Sequence, residues 1–162
     1  TRLARHGGLF KGEHLIEGYN SRLDTLQAIV LKRKLTSLAD VTEKRRQIAR
    51  IYIDELQYIE GLVLPTESGP VEHAWHLFVV RVLDRRGFTE FLKFHEIDTG
   101  IHYPVSLPFL PAYSHKNHLP EHFPVANNIQ GEIVSLPLFP AMTKEQIDHV
   151  IKYIKDYFIA VQ

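Results

Sequence analysis

The stretch from Met142 to Phe158 constrains the fold more than any other part of the chain. Thr143 and Gln146 stand three apart as a capping box, and Met142 and Ile147 are spaced for a hydrophobic staple. Ile147, Val150, Ile151, Ile154, Tyr157 and Phe158 then recur at helical spacing and form one broad apolar face. A helix with such a face must bury it against another layer. The run Trp75-His76-Leu77-Phe78-Val79-Val80-Arg81-Val82 is aromatic and β-branched and predicts a buried strand. Thr99–Tyr103 is a second strand candidate, and Glu132–Leu136 a third, stopped by Pro137.

Helical spacing also opens at Ser21, with Leu23, Leu26, Val30 and Leu35 on one stripe and Ala28 and Leu31 filling in. It resumes at Ile48, Ile51, Tyr52, Glu55, Leu56 and Ile59 after a break expected near Ser37–Asp40. One long helix or two nearly continuous ones therefore cover 21–60, ending at Gly61. Shorter helices are expected over 86–96 and 123–131, the latter with Val125, Ala126 and Ile129 inward. Pro104, Pro108, Pro111, Pro120 and Pro124 make the segment between strand and helix an irregular loop. The order predicts an α+β fold, a short sheet packed by helices and preceded by a long helix. Residues 1–20 read as loop, 21–60 as the long helix or helix pair, and 61–162 as a small α+β domain.

Net charge is zero over 162 residues, so no general attraction to nucleic acid or to an anionic membrane is expected. The absence of cysteine excludes a disulfide framework and thiolate metal sites, in keeping with a cytoplasmic protein. No apolar run is long enough to span a bilayer. The first residues lack a signal-peptide core and an initiator methionine, and read like the middle of a protein.

The most chemical segment is Gly18-Tyr19-Asn20-Ser21-Arg22-Leu23-Asp24-Thr25-Leu26-Gln27-Ala28. Ser21 is placed to cap the following helix, with Asp24 as an acidic residue in its first turn. Asn20 and Arg22 would then flank a helix N-terminus, where exposed N–H groups favour an anion such as phosphate. Ion pairing of Arg22 with Asp24 is the competing reading. His115, His118 and His122 could be mistaken for a metal set, but Leu119 and Pro120 break any helix that would align them. His73 and His76 are three apart, on opposite faces if the strand begins there. No metal site is expected. No nucleophile elbow or glycine-rich nucleotide loop is present, and Ser135 reads as structural within its strand.

The segment from Gly18 to Ala28 resembles the signature of the DegT/DnrJ/StrS-type nucleotide-sugar aminotransferases. So do Ala4-Arg5-His6-Gly7-Gly8, Gly100-Ile101-His102-Tyr103-Pro104, Phe123-Pro124-Val125-Ala126 and Ser135-Leu136-Pro137-Leu138-Phe139-Pro140, in register along the chain. The resemblance implies the small C-terminal domain of a fold-type-I enzyme dependent on pyridoxal phosphate (PLP), preceded by the helix that leaves the large cofactor domain. It implies that Asn20, with Arg22, contacts the cofactor phosphate across a homodimer. It also implies that His102 and Tyr103 line the site for a nucleotide-diphosphate keto-sugar. The donor would be an amino acid, L-glutamate. The segment after Pro104 departs from the commoner family pattern, which has a histidine and then a glutamine where this chain has Ser106-Leu107-Pro108-Phe109.

The family's Schiff-base lysine belongs to the large domain, ahead of this chain's first residues, so this piece is expected to be inactive alone and to hold no catalytic residue. Two other readings stay open: a non-catalytic α+β interaction module pairing through the 21–60 helix, and a PLP- or pyridoxamine-phosphate-dependent sugar dehydratase on the same scaffold.

Overall fold

The computed structural model describes residues 2–10 and 12–160. The chain divides into two compact units, Thr1–Asp40 and Val41–Gln162.

The elements are α1 (Thr25–Leu35), α2 (Leu38–Leu56), β1 (Leu62–Val63), β2 (Phe78–Val82), α3 (Arg85–Phe94), α4 (Pro124–Ile129), β3 (Ile133–Leu136) and α5 (Lys144–Ala160). The strands form one antiparallel sheet in the order β1-β2-β3. β2 holds the centre because Phe78, Val80 and Val82 alternate into the core. Across it Phe78 faces Leu136, Val80 faces Val134, and Val82 faces Leu62 on the other edge. The α+β class expected from the chain is the one observed.

Helices cover this sheet. α3 packs on α5 and on both β2 and β3. α5 buries Ile147, Val150, Ile151, Ile154, Tyr157 and Phe158, the six residues its periodicity picks out. Its capping box closes as expected: Gln146 N–H donates to Thr143 Oγ1 (3.3 Å) and Thr143 N–H donates to Gln146 Oε1 (3.0 Å). Thr143→Ala is expected to cost about 1 kcal/mol. Urea unfolding would register this as a lower midpoint with an unchanged slope.

α2 contributes Ile48, Ala49, Tyr52 and Leu56 to the same core. Tyr52 meets the Phe78 ring edge-on at 5.2 Å and donates its hydroxyl to Pro137 O (2.8 Å). Burial pushes the Tyr52 phenol well above its ordinary range.

Several local expectations are corrected. β2 begins at Phe78, because Trp75 adopts φ 49° and Arg45 Nη1 draws in the carbonyls of Trp75, His76 and Leu138 at 3.3, 3.2 and 3.0 Å. His73 and His76 therefore lie in the preceding loop, and strand alternation does not apply to them. Thr99–Tyr103 forms no strand; it makes a single bridge, Gly100 to Ser135, before the prolines begin. Residues 107–122 contain three short 3-10 turns. In α4 Val125 points outward, 71% exposed, because so short a helix offers the interior only the stripe carrying Ala126 and Ile129. Gly61 (φ 86°) shapes the turn into β1; α2 has already ended at Leu56.

The expected helix pair is present, broken at Thr36–Ser37; α1 lies in the first unit and α2 runs from its end into the second. Ser21 does not cap α1. Asp24 occupies the N-cap position without a side-chain bond, and Ser21 N–H donates instead to Ala4 O (3.1 Å). The expected single stripe is not formed: Leu26 and Leu35 lie on opposite sides of α1, and no residue of α1 is buried, with Leu26 79% and Leu35 65% exposed.

Candidate functional site

The sequence singles out two pairs, Asn20 with Arg22 and His102 with Tyr103, and they lie in different units. The first pair sits on a backbone clasp. Residues 2–8 run beside 15–21: Tyr19 N–H donates to Leu3 O (2.7 Å), His6 N–H to Tyr19 O (3.0 Å) and Leu15 N–H to Gly7 O (3.2 Å), with Arg5 bridging Asn20. Gly18 permits this approach, since a Cβ there would lie 2.2 Å from Gly7 N and 2.7 Å from His6 C. Asn20 thus stands in extended backbone before Asp24, the N-cap, and not in a helix's first turn.

Among the described residues the side chains of Asn20 and Arg22 make no hydrogen bond or ion pair, and both residues are exposed. The alternative pairing of Arg22 with Asp24 does not occur there. An amide N–H and a guanidinium, both uncommitted, are a donor set that fits a phosphate. The anchoring is the clasp, and the helix dipole expected to help lies a turn further along the chain.

The second pair is built from the sheet edge. Gly100 exchanges both backbone bonds with Ser135 of β3: Ser135 N–H to Gly100 O (2.7 Å) and Gly100 N–H to Ser135 O (3.0 Å). The chain then turns so that the His102 ring lies over Gly100, and its Nδ1 is 2.9 Å from Ser135 Oγ. Tyr103 is 72% exposed, with its ring edge-on to His102 at 5.6 Å. The following loop is tied to α4: Ser106 donates to Gln130 Oε1 from both its backbone N–H and its hydroxyl (2.9 Å each). Arg85 Nη1 donates to Gln130 O (2.7 Å). Sequence reasoning missed this tether, and it saw Ser135 only as a strand residue. The one available signal was a hydroxyl inside an apolar run.

Two histidines of the loop, and His73 ahead of β2, bond to backbone. His118 Nδ1 lies 3.1 Å from Pro108 O, and His122 Nδ1 accepts from Leu119 N–H (3.3 Å). His73 Nδ1 accepts from Trp75 N–H (2.8 Å). Among the described residues no group of three potential ligands converges on a metal position. Tyr157, whose phenol is pushed up by burial and by Asp84, belongs to the core and not to either pair.

The family model of the DegT/DnrJ/EryC1/StrS aminotransferases matches residues 2–155. The chain belongs to this family. It is similar to the dTDP-3-amino-3,6-dideoxy-alpha-D-galactopyranose transaminase of Aneurinibacillus thermoaerophilus, with 40% identity over 96% of this chain and 42% of that protein. The erythromycin biosynthesis protein EryC1 of Saccharopolyspora erythraea is 39% identical over 94% of this chain and 42% of its own length. Among solved structures, DesV of S. venezuelae in complex with a ketimine intermediate superposes with TM-score 0.88 at 32% identity, over 96% of this chain and 42% of DesV. NtdA of Bacillus subtilis, solved with bound cofactor PMP, gives 0.83 at 27% identity, over 98% of this chain and 38% of NtdA. This DegT-family chain therefore spans about two fifths of the length of the relatives it matches. Among its described residues no helix is long and apolar enough to cross a membrane.

Proposed function

We propose that this DegT-family chain is the C-terminal part of a cytoplasmic, PLP-dependent aminotransferase. The whole enzyme would move an amino group from an amino acid, L-glutamate, to a keto-sugar carried on a nucleoside diphosphate. The observation that carries the reading is the family match over 2–155, with Asn20 uncommitted at the surface. When bound, PLP supplies the electron sink through which an amine and a ketone exchange.

In this reading 1–20 closes the large domain, 21–60 links the domains, and 61–162 is the small domain. Asn20 donates its amide N–H to a phosphate oxygen of the cofactor held by the other subunit of a homodimer, and Arg22 balances the charge. His102 and Tyr103 orient the sugar nucleotide through their ring N–H and phenol groups. The exposed apolar residues spread around α1 support a homodimer or a further domain, because apolar surface of this extent marks a site of contact. The Schiff-base lysine lies outside this chain, which is inactive alone.

Asn20→Ala in the full-length enzyme is expected to weaken PLP binding about ten- to a hundredfold, the loss of one hydrogen bond to a charged group. Cofactor titration followed by absorbance measures it. Unchanged affinity would remove Asn20 from the phosphate site.

A further inference from the structure

We propose that Ser135 is a positioning residue: it fixes the tautomer and the aim of His102, so that Nε2–H faces outward as a donor to a sugar-nucleotide oxygen. The inference rests on the reading of His102 given under Proposed function and adds what controls it. Ser135 is the one buried polar residue among the described residues, at 4% exposure, and it pairs with Val79 on the sheet face opposite Val134 and Leu136. Its backbone N–H and carbonyl are both spent on Gly100. Its hydroxyl has one partner among the described residues, Nδ1 of His102.

A serine hydroxyl carries one hydrogen, and a buried hydrogen without an acceptor bears the full cost of its lost hydration. Were Nδ1 protonated, it would donate to Oγ, and the buried hydroxyl hydrogen would be left with no acceptor among the described residues. With Nδ1 bare, the hydroxyl donates to it and every group is satisfied. The neutral imidazole must then carry its proton on Nε2. That atom has no partner among the described residues, and His102 is exposed. Gly100 completes the device. A Cβ at that position would come within 2.6 Å of His102 Cε1, so the ring can lie flat over the chain only because residue 100 has no side chain.

The test starts with the unaltered full-length protein labelled with 15N-histidine, at a pH where the imidazoles are neutral. His102→Gln assigns the His102 signal among those of the other histidines. A pure Nε2–H tautomer is expected; an Nδ1–H tautomer or an even mixture overturns the proposal. Ser135→Ala is expected to mix the tautomers and to raise KM for a keto-sugar nucleotide about tenfold, the worth of one aimed hydrogen bond, with kcat little changed. Ser135→Thr, which keeps the hydroxyl, restores both. Should Ser135→Ala fail to fold, Gly100→Ala displaces the ring while leaving Ser135 in place and is expected to give the same KM rise. Turnover by the unaltered enzyme with unmoved KM in these variants refutes the positioning role and leaves the aminotransferase reading intact. No turnover of any keto-sugar nucleotide refutes the reading, while the tautomer still reports on Ser135 by itself.

Discussion

Phe78→Ala is expected to lower the unfolding free energy by about 3–5 kcal/mol. Phe78 is fully buried at the head of the central strand. Its ring is stacked on Trp75 at 5.3 Å and edge-on to Tyr52 at 5.2 Å. Truncation leaves two aromatic rings facing a void that backbone pairing with Leu136 prevents from closing. Since a domain's whole stability is about 5–15 kcal/mol, the variant should be marginal at room temperature. Phe78→Leu keeps most of the volume and should cost distinctly less. Denaturant unfolding of both decides the matter: a loss of less than about 1 kcal/mol for the alanine variant would mean that the aromatic cluster does not anchor the core.

Gly18→Ala should do to cofactor binding at least what Asn20→Ala does, a loss of about tenfold or more, without touching the amide. The added methyl would meet Gly7 N at 2.2 Å, His6 C at 2.7 Å and Leu3 O at 2.8 Å. All three are backbone atoms, so no side chain can swing away. The clasp must open, and the bonds from Tyr19 to Leu3 and from His6 to Tyr19 go with it. Asn20 would keep its chemistry and lose its address. Titrating PLP into full-length Gly18→Ala separates the two. Wild-type affinity would show that the clasp does not hold Asn20 in place, whatever the amide does.

How much of this could be read in the chain follows from how far each interaction reaches. α5 was legible to the residue because a capping box, a staple and a helical period are all local. The α1 helix was legible from its run of helix-forming residues, but its apolar residues do not share one face, and nothing local tells whether anything covers them. β1 escaped notice: two residues, Leu62 and Val63, have no measurable period, and their strand exists only because Val82 and Arg81 lie opposite. Ser21 had the chemistry of a cap, yet Ala4 claimed its N–H from seventeen residues upstream. The motifs pointed to Asn20, Arg22, His102 and Tyr103, and the structure leaves all four at the surface. Nothing local could connect Ser135 to His102, 33 positions away.

The hydrogen-bonded link between Gly100 and Ser135 makes the histidine an appendage of β3. Its ring inherits whatever shift the strand undergoes, and β3 is registered on β2 through Leu136 and Phe78. Interior substitutions along β2 and β3 should therefore shift the aim of His102 as well as lower stability. A search for variants that re-aim this ring should reach into the sheet as well as the loop that carries it.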